Sequence, residues 1–164
     1  MVGIMGRNHT TELAHLVHWL IHLSGRRTGL ASSRGLFMDQ RLVDPKDARV
    51  FEASQRLLIN RSLDAAVFEN TTRQVLEEGL PYDRCLVGVV TRMPKALGLE
   101  DLYAGPDEKM PTYIRTQIDV VLPHGTAVLH AADAQVAELA SYSDGGVVFY
   151  AEDENTPRLL AHRE

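Results

Sequence analysis

Six short, nearly continuous apolar runs punctuate this chain, at 2–5 (VGIM), 27–31 (RTGLA), 65–69 (AAVFE), 85–91 (CLVGVVT), 126–130 (TAVLH) and 147–151 (VVFYA). A strand with one face in water alternates apolar and polar residues, so runs without that alternation suit strands covered on both faces. Helical patterns fill the gaps, at 10–24, 46–60, 71–79, 109–121 and 133–142. Strand and helix taken in turn predict an α/β fold: a mainly parallel sheet with helices on both faces, in three layers. The 164 residues suffice for one domain with a core and are too few for two ordinary ones.

Local punctuation supports the same reading. Thr10 or Thr11 is placed to cap the first helix, and Gly25 stands where that helix should stop. Asp44 before Pro45 reads as an N-cap followed by proline in the first turn, Asp133 as a cap for AQVAELA, and LPHG (122–125) as a helix stop and turn. GLFMDQRLVD (35–44) reads as a short hairpin or an edge strand.

The first helix carries Leu13, Leu16, Val17, Leu20 and Leu23 on one face, which predicts docking on the sheet. His15, His18 and His22 then point outward, with Trp19 beside them. A His pair four residues apart can ligate zinc, but no glutamate makes the pattern HExxH, and a solvated or partner-facing surface is the plainer reading. An exposed tryptophan next to histidines suits a protein contact.

Composition excludes several classes. Hydrophobic residues are 45% and charged residues 24% of the chain, near the globular average, which argues against disorder. LAHLVHWLIHL carries three histidines and is too short to span a bilayer. A net charge of −5 argues against nucleic-acid binding through a broad basic surface. The single cysteine, Cys85, has no internal disulfide partner, sits in an apolar run as a core residue, and fits a reducing cytoplasm.

The most chemically suggestive stretch is GRNHTT (6–11), which joins the first strand to the first helix as a phosphate loop would. A working loop uses glycines to converge backbone amides on the phosphates, a lysine to reach the β/γ oxygens and a hydroxyl to hold magnesium. Here there is one glycine, no lysine, and no GxxxxGK[ST] anywhere. Arg7 lies too early in the loop to replace the lysine without folding back. A hydrogen bond to a charged group contributes roughly 1.5–3 kcal/mol, so the missing lysine alone weakens ground-state binding by about one to two decades.

Over nearly the whole chain the sequence resembles the central, nucleotide-binding domain of Mur ligases, and most closely the Mur-ligase-like part of cyanophycin synthetases. The likeness runs through VGIMGRNHTTELAHLVHWLIHLSGRRTGLASS, DAAVFENTTRQVLEEGLPYDRCLVGVVT, and VLPHGTAVLHAADAQVAELA with VVFYAED. EEGLPYDRCLVGVVT is its most specific segment. The resemblance implies the P-loop-type three-layer sandwich of that central domain. It also implies that Gly6, Asn8, Thr10 and Thr11 are survivors of a GTNGKTTT nucleotide loop, and that Glu69 stands where the family keeps a magnesium-binding glutamate. The family's Asp-His-Leu-Gly run, whose histidine binds a second metal, corresponds to Arg92–Gly98 here, without a metal ligand. Arg115 stands near a family lysine and cannot be carbamylated to bridge metals. The nucleotide-contacting Asn-Ala-Asp-Asp has become His130, Ala131, Ala132 and Asp133.

These departures all remove ligands for ATP, magnesium or an acyl-phosphate, while the strands and turns stay. The resemblance therefore implies a catalytically silent domain, 1–164, as a fragment of a larger cytoplasmic ATP-dependent amide ligase. It is akin to the second type of cyanophycin synthetase, which joins β-aspartyl-arginine dipeptides. ATP and magnesium would serve the parent enzyme through an ATP-grasp domain of the same polypeptide. This domain would act as a scaffold in a homodimer or other homo-oligomer, with the face around His15, Trp19 and His22 as one contact surface. The alternatives are an active amide ligase in which Gly6, Thr10, Thr11 and Glu69 hold Mg-ATP, and a metal-sensing module using the histidines.

Overall fold

The computed structural model describes residues 1–102 and 105–163, with the side chains of all but Arg163. Eight strands form one sheet in the order β4-β3-β2-β5-β1-β6-β7-β8. They are β1 (Val2–Met5), β2 (Thr28–Ser32), β3 (Gly35–Met38), β4 (Arg41–Asp44), β5 (Ala65–Glu69), β6 (Cys85–Val90), β7 (Val121–His130) and β8 (Gly146–Tyr150). All neighbours from β2 to β8 pair in parallel, while β3 and β4 add an antiparallel hairpin at one edge. The six apolar runs are the six parallel strands, and GLFMDQRLVD is the hairpin.

The helices are α1 (Thr10–Leu23), α2 (Phe51–Leu58), α3 (Thr72–Glu77), α4 (Met110–Ile114), α5 (Thr116–Asp119), α6 (Ala134–Glu138) and α7 (Pro157–Arg163). Helix α1 lies on one face, against β2, β5 and β1. On the other face α2 covers β2 and β5, α5 covers β1, β6 and β7, α6 covers β7, and α7 covers β8. The larger core is on that second face, where Met5, Val90, Leu129 and Phe149 meet Met110, Ile114, Ile118, Val136 and Leu139. Gly88 lets α5 approach β6, since a Cβ there would stand 2.8 Å from the Gln117 carbonyl oxygen. The α1 face has a smaller core of Ile4, Ala14, Leu30, Val67 and Val89.

Several local expectations are corrected. The 46–60 helix begins only at Phe51, because Asp44 and Asp47 accept from the Lys46 and Arg49 amides and hold the segment in Asx turns. LPHG belongs to β7, where Gly125 presses so close to the Leu86 carbonyl that a Cβ would stand 2.5 Å from it. The 109–121 helix is split at Arg115, whose carbonyl accepts from both Ile118 and Asp119. Two caps agree with the sequence: the Gly25 amide closes α1 on His22, at φ 84°, and Asp133 accepts from the Val136 amide at 3.3 Å.

The orientation of α1 is the largest correction. His18 is 4% exposed, whereas Leu16, Leu20 and Leu23 are 50%, 52% and 60% exposed. The histidines face the sheet because that side offers acceptors and a ring: His18 Nε2 donates to the Thr28 carbonyl at 3.1 Å, and His22 Nδ1 meets Asp39 at 2.8 Å. His15 Nε2 bonds the Ser32 hydroxyl at 3.0 Å and packs edge-on against Phe37. A helix that is apolar nearly all round has no single buried face written into its periodicity, so available polar partners decide.

Candidate functional site

Strand β1 is central, and the connections around it run in opposite directions: α1 carries the chain from β1 past β5 to β2, while α3 carries it from β5 past β1 to β6. That reversal opens a crevice at the carboxyl ends of the strands, the usual ligand site of an open α/β sheet. GRNHTT lies in it. Gly6 has φ 142°, and a Cβ there would overlap the Thr91 hydroxyl. The Arg7 amide donates to the Arg92 carbonyl at 3.1 Å, and the Thr91 hydroxyl donates to the Asn8 carbonyl at 3.2 Å. His9 turns the chain in the left-handed region at φ 58° and makes no side-chain cap.

Thr10 and Thr11 do not cap α1 through the backbone, contrary to the sequence reading. Both hydroxyls donate instead to Glu69 Oε1, at 3.1 and 2.8 Å, because β5 ends with that carboxylate facing the helix start. The Ser33 amide donates to Glu69 Oε2 at 2.9 Å. Arg49 places Nη1 3.5 Å from Oε1 and holds Asp47 with three further hydrogen bonds. The Arg49 guanidinium keeps Asp47 below the usual carboxylate range. Glu69 itself is 2% exposed. A buried carboxylate of this kind needs a cation and donors, and it has both.

The structure thus gathers Thr10, Thr11 and Glu69 in one cluster, while Gly6 and Asn8 pack against the end of β6. Sequence reasoning missed Ser33, Arg49 and Thr91. Ser33 and Arg49 sit in loops with no motif, and Thr91 is the last residue of the apolar run CLVGVVT, where its hydroxyl carries no pattern.

Fit to a magnesium–triphosphate is poor. Both Glu69 oxygens are occupied, a guanidinium stands beside one of them, and the Arg7 amide of the loop is spent on Arg92. Residues matching the family's remaining ligands are also engaged elsewhere. Asp133 accepts from the Met93 amide at 2.9 Å, and Arg115 stacks over the Tyr142 ring at 5.1 Å. His130, 1% exposed, bonds Glu152 through Nε2 at 3.0 Å, and that contact lowers the Glu152 pKa. Met93 is buried in the core and Leu97 is 86% exposed. Among the described residues no three His, Cys, Asp or Glu side chains converge to hold a metal, so the histidines of α1 form no such site. Cys85 is buried, and burial pushes its thiol up to about 11. No described helix is long and apolar enough to cross a membrane.

No family model matches the chain. Across 163 residues, 99% of this chain, it is 26% identical to the cyanophycin synthetase of Synechocystis sp. and 29% identical to that of Crocosphaera subtropica. The chain spans 18% of the length of each of these relatives. Its fold is similar to that of UDP-N-acetylmuramoyl-L-alanyl-D-glutamate–2,6-diaminopimelate ligase, with TM-score 0.71, 18% identity, and coverage of 94% of this chain and 32% of that one. It is also similar to Mycobacterium tuberculosis folylpolyglutamate synthase, solved with ADP and AMPPCP, with TM-score 0.59, 17% identity, and coverage of 90% and 42%. The eight-stranded, mostly parallel sheet is therefore the Mur-ligase-like α/β fold, and the chain is similar to cyanophycin synthetases over its whole length.

Proposed function

We propose that this chain is a catalytically silent Mur-ligase-like domain of a cyanophycin-synthetase-type ATP-dependent ligase, serving as a structural scaffold. In this reading the ATP-using chemistry, polymerisation of β-aspartyl-arginine dipeptides, belongs to an ATP-grasp domain of a longer polypeptide. The observation that carries it is the state of Glu69. The carboxylate that would hold magnesium is saturated by Thr10, Thr11 and Ser33, with Arg49 supplying the positive charge. A guanidinium is permanently charged, so a nucleotide-bound metal would have to displace it from the carboxylate. The loop above it has no ammonium group to meet a phosphate.

The competing reading, an active amide ligase using Gly6, Thr10, Thr11 and Glu69 for Mg-ATP, requires Arg49 and both hydroxyls to give way. Titration calorimetry with Mg-ATP separates the two. Silent titrations to millimolar nucleotide are expected, and micromolar binding that Glu69→Ala abolishes would overturn the scaffold reading.

A further inference from the structure

On the α1 face, the half of the sheet formed by β6, β7 and β8 has no described helix over it. Leu86, Val148 and Tyr150 are exposed there, and Val87 and Val128 are half-buried. With the flank of α1 that carries Leu13, Val17 and Ile21, all of these but Val148 line an open groove of about 800 Å³, which also takes in Arg26, Asp64 and, toward the crevice, Asn8, Thr91 and Arg92. Beside the groove stands a ridge, the exposed Leu16, Leu20 and Leu23 of α1. Monomeric proteins seldom leave a contiguous apolar surface of this extent in water.

We propose that this surface is an interface between two copies of the chain, in which the second copy's α1 lies in the groove and completes the helical layer. The dimensions select that occupant. Three strands at about 4.8 Å spacing make a strip about 14 Å wide and about 17 Å long, room for one helix. With 14 residues, α1 is about 21 Å long and matches it. It is the longest described helix and is apolar on the side facing away from its own sheet.

Groove and ridge lie side by side, which is what a two-fold contact needs, because each copy must offer both halves of the fit. An axis running along the groove between the two helices satisfies this. Leu13, Val17 and Ile21 of each copy face the other helix, and Leu16, Leu20 and Leu23 land on the other copy's strip around Val148 and Tyr150. Ridge and strip together amount to on the order of 700 Å² per copy, close to the roughly 800 Å² per partner of a standard stable interface. This places the contact on the leucine side of α1, away from the face of His15 and His22. No residue of the Glu69 cluster takes part, and the groove meets the crevice only at its end, at Asn8, Thr91 and Arg92.

Sedimentation velocity on the full chain without nucleotide, from micromolar to several hundred micromolar, is the test. A dimer is expected for the unaltered protein, and a monomer with unchanged helicity for L16E/L20E, whose altered side chains already face solvent. V148K tests the strip independently should the helix variant fail to fold, and is also expected to be monomeric. L97E, altered well away from this face, remains dimeric. A monomeric unaltered protein, a dimer indifferent to both L16E/L20E and V148K, or open-ended larger assemblies would each overturn the closed two-fold pairing.

Discussion

Replacing Glu69 by alanine discriminates between a structural and a metal-binding carboxylate. The side chain is 2% exposed and holds three donors from two segments: Thr10 and Thr11 at the start of α1, and the Ser33 amide after β2. Each hydrogen bond to a charged group contributes about 1.5–3 kcal/mol, but the three are not additive. Thr11 keeps the Ser33 hydroxyl at 2.9 Å as a partner, and Arg49 keeps Asp47. What remains unpaired is mainly the Ser33 amide and the Thr10 hydroxyl, while Arg49 loses one of its two anions, so a loss of about 3–4 kcal/mol is expected. For a chain of this length that corresponds to a fall in Tm of roughly 6–16 °C. Urea denaturation with and without magnesium measures it. A loss below about 1 kcal/mol, or a magnesium-dependent rise in the Tm of the unaltered protein, would refute the reasoning, because either means that Glu69 awaits a metal rather than already having its partners.

Two further outcomes follow from the same geometry. Burial lowers the pKa of His18, overriding its hydrogen bond to Thr28 and the nearby Asp39, and also lowers that of His15, where Arg34 adds to the effect against Glu69 and Glu12. The unfolded chain then binds protons more readily than the folded one, so the stability from these neutral rings is full above about pH 6.5 and falls as pH drops below it. For His18 the slope reaches at most about 1.4 kcal/mol per pH unit, and a urea midpoint that does not fall between pH 7.5 and 5.5 would contradict it. Gly6→Ala must accommodate a left-handed φ of 142° and a methyl overlapping the Thr91 hydroxyl. A loss of roughly 1–3 kcal/mol is expected by chemical denaturation, with neutrality counting against the tight packing of the loop on β6.

The strand content was legible because buried parallel strands suppress alternation, and each apolar run could be read without knowing its neighbours. The side of α1 that meets the sheet was not legible. HLVHWLIHL is apolar over most of its circumference, and the choice fell to acceptors on β2 and in the β3–β4 turn that are local neither in sequence nor in pattern. The same non-locality hid Arg49. Its role comes from distance to Glu69, 20 positions away in the chain, and Asp47 nearby makes it look like an ordinary surface pair. Thr10 and Thr11 were visible as hydroxyls at a helix start, but whether they serve the helix or a neighbouring strand depends on where β5 ends.

The position of β1 at the middle of the sheet has a consequence for how the molecule is made. Its partners on either side are β5, beginning at Ala65, and β6, ending at Val90. Within this domain β1 must therefore wait for its first partner until the chain has reached Glu69 and for its second until Val90, and closing loops of that length precedes any gain from pairing. Assembly should be slow and late, with the early chain exposed to misassociation for the whole interval.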